Sequence, residues 1–492
     1  MRHVLFCISL LFFFGSCSVS SYSPGKKYAK QQLAEDYSLL KNILEEVHPS
    51  LYWYTSPDSI NWYFDHYANQ IQDSMTEQEF AWKVLAPMVD KIHCGHTSVS
   101  MSKAYGRWAD GRRFQSFPYY LKVWDDSMAV VRTLIKDSIF AKGTIIRSVN
   151  GIGRDSLVKA IFDKLPEDGY ANNINFIRMS GNFPYYHRNI FGVSDKYKVE
   201  YLDAKGNLAV KDIPAYKPPK DTTKKVTGRK DSIPPRPKAP KRKRTKSFYR
   251  SFHVDSSGLF ATMEVNAFTK GNLRAFFRRC FKEMKEKNIP NLVLDIRSNS
   301  GGRIGLSTLL TKYLSRTSFR VADTVYANSR SLGKYTGHFE RKWLNNIQMF
   351  FTTRKMKDGK FHLRHFERKC YAANKKYTYK GKVYVLTNGP TFSAATLLAN
   401  TLKGQEGITL VGEETGGGWH GNNGIMIPEV KLPNTRTRVT MPLFRVVQFQ
   451  HVPKTGSGVV PDVYIGTNYD ALMKGVDHKM KVVERMILED KQ

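Results

Sequence analysis

A chain of 492 residues has room for two or three domains of ordinary size, and 41% hydrophobic residues exclude a disordered polymer. The formal net charge of +34 raises the question of a polyanionic partner. Thirteen Lys and Arg against two Asp between Lys217 and Ser247 contribute +11 of it, and the rest is scattered. No nucleic-acid-binding motif accompanies that charge, so no specific nucleic acid is expected as a partner. A surface of anionic headgroups or glycans fits better.

The chain opens on Arg2 and His3, an apolar run from Val4 to Phe14, and Gly15-Ser16-Cys17. Residues 1–16 therefore read as a secretory signal peptide, too short in its apolar part to span a bilayer. A cysteine directly after two small residues resembles a bacterial lipoprotein processing site. On that reading Cys17 is the first mature residue and carries a lipid that holds an exported protein to a membrane of the cell envelope, facing the periplasm. Plain secretion, with Cys17 cut away, is the alternative. The remaining cysteines, Cys94, Cys280 and Cys370, have neither a disulfide-framework pattern nor metal-ligand spacing.

Three amphipathic helices follow, from Tyr28 to His48, from about Ser59 to Asp73 and from about Thr76 to Ile92. They are expected to form an N-terminal helical cap over 27–100. From Phe117 the pattern changes to short strands, Tyr119–Val123, Met128–Thr133, and a stretch from Gly143 that ends in an Asn150-Gly151 turn. A helix from about Asp155 to Leu165 comes next. The order and the turn of 110–215 resemble a PDZ domain, whose groove takes an extended peptide as an added strand. Residues 216–247 hold six prolines, the cluster Lys241-Arg242-Lys243-Arg244 and almost nothing apolar, as expected of a solvated, flexible insertion. From 248 to 480 strand and helix alternate, with strands at Phe260–Val265, Leu292–Ile296 and Val383–Thr387. Helices are expected over Leu273–Lys287, Gly305–Leu314 and Ala394–Leu402. Short apolar strands followed by helices predict a largely parallel, buried sheet, and ligands of such α/β sheets collect at the C-terminal strand ends.

Two motifs fall at those ends. In Asp295-Ile296-Arg297-Ser298-Asn299-Ser300-Gly301-Gly302 a buried strand runs into a polar loop and a glycine pair, where successive amides can form an anion-binding concavity. In Asn388-Gly389-Pro390-Thr391-Phe392-Ser393-Ala394 a serine stands where a tight turn becomes a helix. Either it caps that helix, or it is a nucleophile beside an oxyanion donor, the Ala394 amide. A third stretch, His93-Cys94-Gly95-His96, offers His96 as a base near neutral pH.

Together these stretches resemble the tail-specific, C-terminal processing serine peptidases, including their tricorn-like branch. The family's "D-x-R-x-N-x-G-G" loop reads Asp295 to Gly302 here, and its "T-x-S-A" turn reads Thr391-Phe392-Ser393-Ala394. Its "G-x-x-T-x-G" segment reads Gly412-Glu413-Glu414-Thr415-Gly416-Gly417, and its "G-V-x-P-D" reads Gly458-Val459-Val460-Pro461-Asp462. The resemblance implies an α/β architecture: a crotonase-like (ββα) catalytic domain over 248–480, with the PDZ-like β-rich domain and the N-terminal helical cap beside it. It implies Ser393 as nucleophile, His96 as general base, and an oxyanion site formed by Gly301, Gly302 and Ala394. It implies peptide or protein substrates, with no metal or organic cofactor.

Two departures bear on mechanism. Many members pair the serine with a lysine two residues after the "T" of the third motif, with one Gly between, but Thr415-Gly416-Gly417-Gly418-Trp419 has none. The tricorn-like branch places a Glu shortly before "G-V-x-P-D", where this chain has Lys454-Thr455-Gly456-Ser457. The group that orients His96 is therefore open among Glu413, Glu414 and Ser98. A catalytically silent peptide- or ligand-binding lipoprotein on the same fold is the competing reading.

Overall fold

The computed structural model describes residues 22–136, 139–219, 246–449 and 452–490. The leader with Cys17 and most of the basic insertion lie outside the described residues. The architecture is mixed α/β with several sheets.

The first helix, Lys30–Val47, buries Leu33, Tyr37, Leu40, Ile43, Leu44 and Val47, the stripe its periodicity predicts. The second, Pro57–Ala68, starts on a Ser56 cap with Pro57 in its first turn and ends short of the expected Asp73. The third starts at Glu77 on a Thr76–Glu79 capping box, and passes through a π-turn at Ala81–Leu85 before Ala86–Asp90. The widened turn lies just before Pro87, whose ring supplies no amide to an α-turn. These helices do not close a core of their own. Their apolar faces share one with Phe319, Val325, Tyr335, Val430, Met441 and Phe444, and Ser98–Ser100 pairs with Arg438–Thr440, Val99 opposite Val439.

Residues 117–215 have a separate core. Tyr119–Trp124 pairs with Ser127–Thr133, and Ile146–Val149 sits in a four-stranded antiparallel sheet with Ile152–Gly153, Lys196–Leu202 and Leu208–Pro214. Asn150 and Gly151 both adopt positive φ, 52° and 75°, between paired Val149 and Ile152. This is the two-residue turn that matches strand twist, and it is why Asn-Gly predicts a hairpin. Three helices, Arg154–Phe162, Asn173–Gly181 and Phe183–Phe191, complete the unit; the last two went unread in the sequence.

Inside that core His187 lies among the rings of Phe117, Phe183, Phe191 and Tyr197, and neither ring nitrogen has a hydrogen-bond partner. Burial pushes its pKa down to about 4 from the ordinary 6.5. The unfolded chain takes up a proton below 6.5 that the folded ring refuses until about 4, so stability is lost as pH falls through that window. At pH 5 the loss from this one group is roughly 2 kcal/mol. His187→Phe should remove that share of the acid sensitivity. His48, buried and pushed down to about 3, leaves the rest in place. Urea unfolding at pH 7.5 and pH 5 checks this: an equal acid loss in variant and wild type would be evidence against it.

The central sheet has six strands in the order Arg250–Val254, Phe260–Val265, Asn291–Asp295, Lys382–Thr387, Ile408–Gly412, Val463–Tyr464. The first pair is antiparallel and the remaining four pairings are parallel. Helices Leu273–Glu286, Ile304–Leu314 and Ala394–Leu402 bury apolar residues against one face, and His478–Glu489 packs on the other. Asn291–Asp295 and Lys382–Thr387 lie side by side and parallel in the middle of the sheet, so the glycine-pair loop and the serine turn emerge together at its C-terminal end.

Candidate active site

The loop after Asn291–Asp295 is built before any ligand arrives. Arg297 bridges the Asp295 and Asp477 carboxylates, each at 2.6 Å, tying the loop to the start of the last helix. The Thr391 hydroxyl donates to the Ile296 carbonyl at 3.0 Å, and the Phe392 amide donates to the Asn299 carbonyl at 3.0 Å. These bonds clamp the serine turn to the loop. Ser393 then adopts φ 55°, ψ −120°, and its side chain makes no capping bond to the helix Ala394–Leu402. A non-glycine residue in this region costs of order 1–3 kcal/mol and persists only where its surroundings impose it. The helix-cap reading fails, because a capping serine sits in extended backbone and accepts from the first turn. The observed geometry is that of a strained strand-to-helix turn presenting a hydroxyl.

Gly301 (φ 95°) lies against this turn, and Gly302 (φ 129°) lies against the Phe268 carbonyl. A Cβ on Gly301 would sit 2.7 Å from Ser393 Cβ and 2.9 Å from Ala394 N, so only glycine permits this approach. Expected as an oxyanion donor, Gly301 has its N–H taken by Asn299 Oδ1 at 2.9 Å, while Asn299 Nδ2 is anchored on the Val265 carbonyl. A side chain that satisfies a local amide removes it from the ligand. Among the described residues the amides of Gly302 and Ala394 have no such partner.

His96 comes from the turn after the third helix. Its ring packs on Phe392, the neighbour of Ser393, with centroids 4.6 Å apart. Burial pushes its pKa below 6.5, against an upward pull from Asp168, so the imidazole is neutral at pH 7, as a base must be. Its Nδ1 is buried and unpartnered. Of the three expected orienting groups, the two carboxylates have their partners elsewhere. Glu413 pairs with Lys479 at 3.2 Å, Glu414 accepts from the Gly458 amide, and Ser98 lies in a strand opposite Thr440. The acid brought to the histidine turn is Asp168, only 2% exposed. Its Oδ1 accepts from the Gly95 amide at 2.8 Å and its Oδ2 from the Gly418 amide at 3.4 Å. Burial raises its pKa, opposed by His96, the Gly95 amide, Arg445 and the Gly418 amide. In sequence the only cue is an acid pair before a glycine, Glu167-Asp168-Gly169. Among the described residues no group of three His, Cys, Asp or Glu side chains is placed to hold a metal ion.

Residues 260–465 match the model of peptidase family S41. No curated protein matches the sequence. Among solved structures, mature CPAF complexed with lactacystin aligns with a TM-score of 0.61 at 14% identity, over 94% of this chain and 99% of that one. Mature CPAF alone aligns with a TM-score of 0.62 at 13% identity, over the same shares. A putative peptidase from Parabacteroides merdae reaches 0.48 at 13% identity, over 93% of this chain and 97% of that one. At such identities the likeness speaks to the fold alone. The family match spans the five parallel-paired strands of the central sheet and both motifs at their ends. Residues 260–465 are those of peptidase family S41, and the protein is a peptide-bond hydrolase.

Proposed function

We propose that the protein is a serine endopeptidase of the cell envelope, acting on unfolded proteins or on those with exposed C-terminal tails. His96 takes the proton of the Ser393 hydroxyl as Oγ attacks the substrate carbonyl. The carbonyl oxygen collects negative charge facing the amides of Gly302 and Ala394, each such donor supplying roughly 3 kcal/mol of barrier reduction. His96 returns its proton to the leaving amine as the C–N bond breaks. Water, deprotonated by His96 in turn, then releases the acyl group from Ser393. Asp168 holds the histidine turn and favours the imidazolium that forms at each step.

The observation that carries this reading is the strained, uncapped Ser393 backbone directly after Phe392, the ring on which His96 packs with its Nδ1 buried and unpartnered. We read the central sheet with its helices as crotonase-like and 110–215 as a PDZ-like unit that delivers an extended chain; its loop 166–170 carries Asp168. Export and lipid attachment at Cys17 remain part of the same proposal. Incubation with a fluorophosphonate, followed by peptide mass mapping, tests the centre. One adduct is expected, on Ser393, and none in Ser393→Ala. A folded wild-type chain that takes up no label would instead favour the silent binding protein.

A further inference from the structure

The helix Lys342–Thr352 is amphipathic in the reverse sense for a protein surface. Its inward side holds Asn345 and Met349, with Asn345 Nδ2 donating to the Glu340 carbonyl at 2.9 Å. Asn346 accepts from the Leu332 amide at 2.8 Å and donates to Thr336 Oγ1 at 3.1 Å. Its outward side holds Trp343, Leu344, Ile347, Phe350 and Phe351, which are 73, 56, 54, 49 and 79% exposed. The spacing i, i+1, i+4, i+7, i+8 makes them one continuous stripe. Single exposed apolar residues need no explanation, but a contiguous row of five large ones marks an interaction face.

Charge identifies what the face meets. From Arg341 to Lys357 there are five cationic side chains, Arg341, Lys342, Arg354, Lys355 and Lys357, and no acid. All five are exposed, at the two ends of the stripe. A sixth cation, Arg330, lies 3.7 Å over the Phe350 ring and donates to the Phe350 carbonyl. A second copy of the chain would set these cations against their own kind. An anionic bilayer satisfies both halves: the Trp, Phe and Leu side chains enter the acyl boundary while the cations meet phosphates. The position agrees. Glu340 pairs with Lys103, and Tyr105 of the same short helix packs on Tyr22, centroids 5.6 Å apart. The start of the described chain therefore lies on the flank that carries this helix.

We infer that Lys342–Thr352 is an interfacial helix that docks the protein on an anionic phospholipid surface. The test is vesicle flotation of the full chain carrying Cys17→Ser, so that no acyl group intervenes. At least tenfold stronger binding is expected to phosphatidylglycerol–phosphatidylcholine vesicles than to phosphatidylcholine alone, weakening at about 0.5 M salt. Ile347→Ser with Phe351→Ser should cut that binding at least tenfold and leave hydrolysis of a soluble substrate unchanged. Brominated lipid should quench fluorescence in this chain and not in its Trp343→Tyr form. Equal vesicle binding by the double variant would overturn the inference in favour of net charge alone. A dimer in sedimentation velocity that the double variant dissolves, with no vesicle binding, would overturn it in favour of self-association.

Discussion

Ser393→Ala should lower kcat on an unfolded protein substrate by at least about 10⁴-fold, with the circular dichroism spectrum unchanged, because the remaining oxyanion amides and binding contacts cannot replace a nucleophile. His96→Ala should cost about as much. In a serine–histidine pair each group is idle without the other, so the double variant should lose little more than either single one. The wild-type pH profile carries a further signature. Activity needs neutral His96, and burial sets its folded pKa below 6.5. kcat/KM should therefore rise with pH along an acid limb whose midpoint lies below 6.5, and stay level through neutral pH. Steady-state hydrolysis of a fluorogenic unfolded substrate from pH 4.5 to 8 reads all of this. Activity within tenfold of wild type in His96→Ala would mean that another group takes the Ser393 proton.

Three of the six strands of the central sheet were legible because their signals are local. Strands such as Leu292–Ile296 and Val383–Thr387 are short apolar runs, and the structure shifts their ends by one residue only, to Asn291–Asp295 and Lys382–Thr387. The glycine pair and the serine turn were legible for the same reason: each lies directly after a strand, and parallel pairing brings the two ends together. What could not be read depends on contacts across the chain. The Gly301 amide is withdrawn by Asn299, two residues away, yet nothing in the sequence says which way that side chain points. The surface helix misleads in another manner. Its apolar stripe at 343, 344, 347, 350 and 351 has the pattern of a core face, and only the structure shows Met349 and Asn345 turned inward instead. The N-terminal helices have the right periodicity, but their partners are residues 319–349 and 426–446, so their apolar faces form one side of a larger core that no local pattern announces.

Asp168 is the sharpest case, since its carboxylate meets Gly95 across 73 positions and Gly418 across 250. Asp168→Asn should lower kcat by roughly 10²–10⁴-fold, the upper end being the loss seen when a serine–histidine pair is deprived of its carboxylate. The amide oxygen of asparagine can still accept from the Gly95 amide, so the turn and the fold should persist. What changes is the charge beside the imidazole. Asp168 pulls the His96 pKa upward against burial, so its neutralisation should move the acid limb of kcat/KM to lower pH while the plateau falls. A purely structural role would depress the rate without moving that limb. Asp168→Glu, which keeps the charge, should retain the limb position even where its extra methylene lowers the plateau. If Asp168→Asn leaves both limb and plateau unmoved, the carboxylate serves only to pin Gly95 and Gly418. His96 must then be oriented by its packing on Phe392 alone.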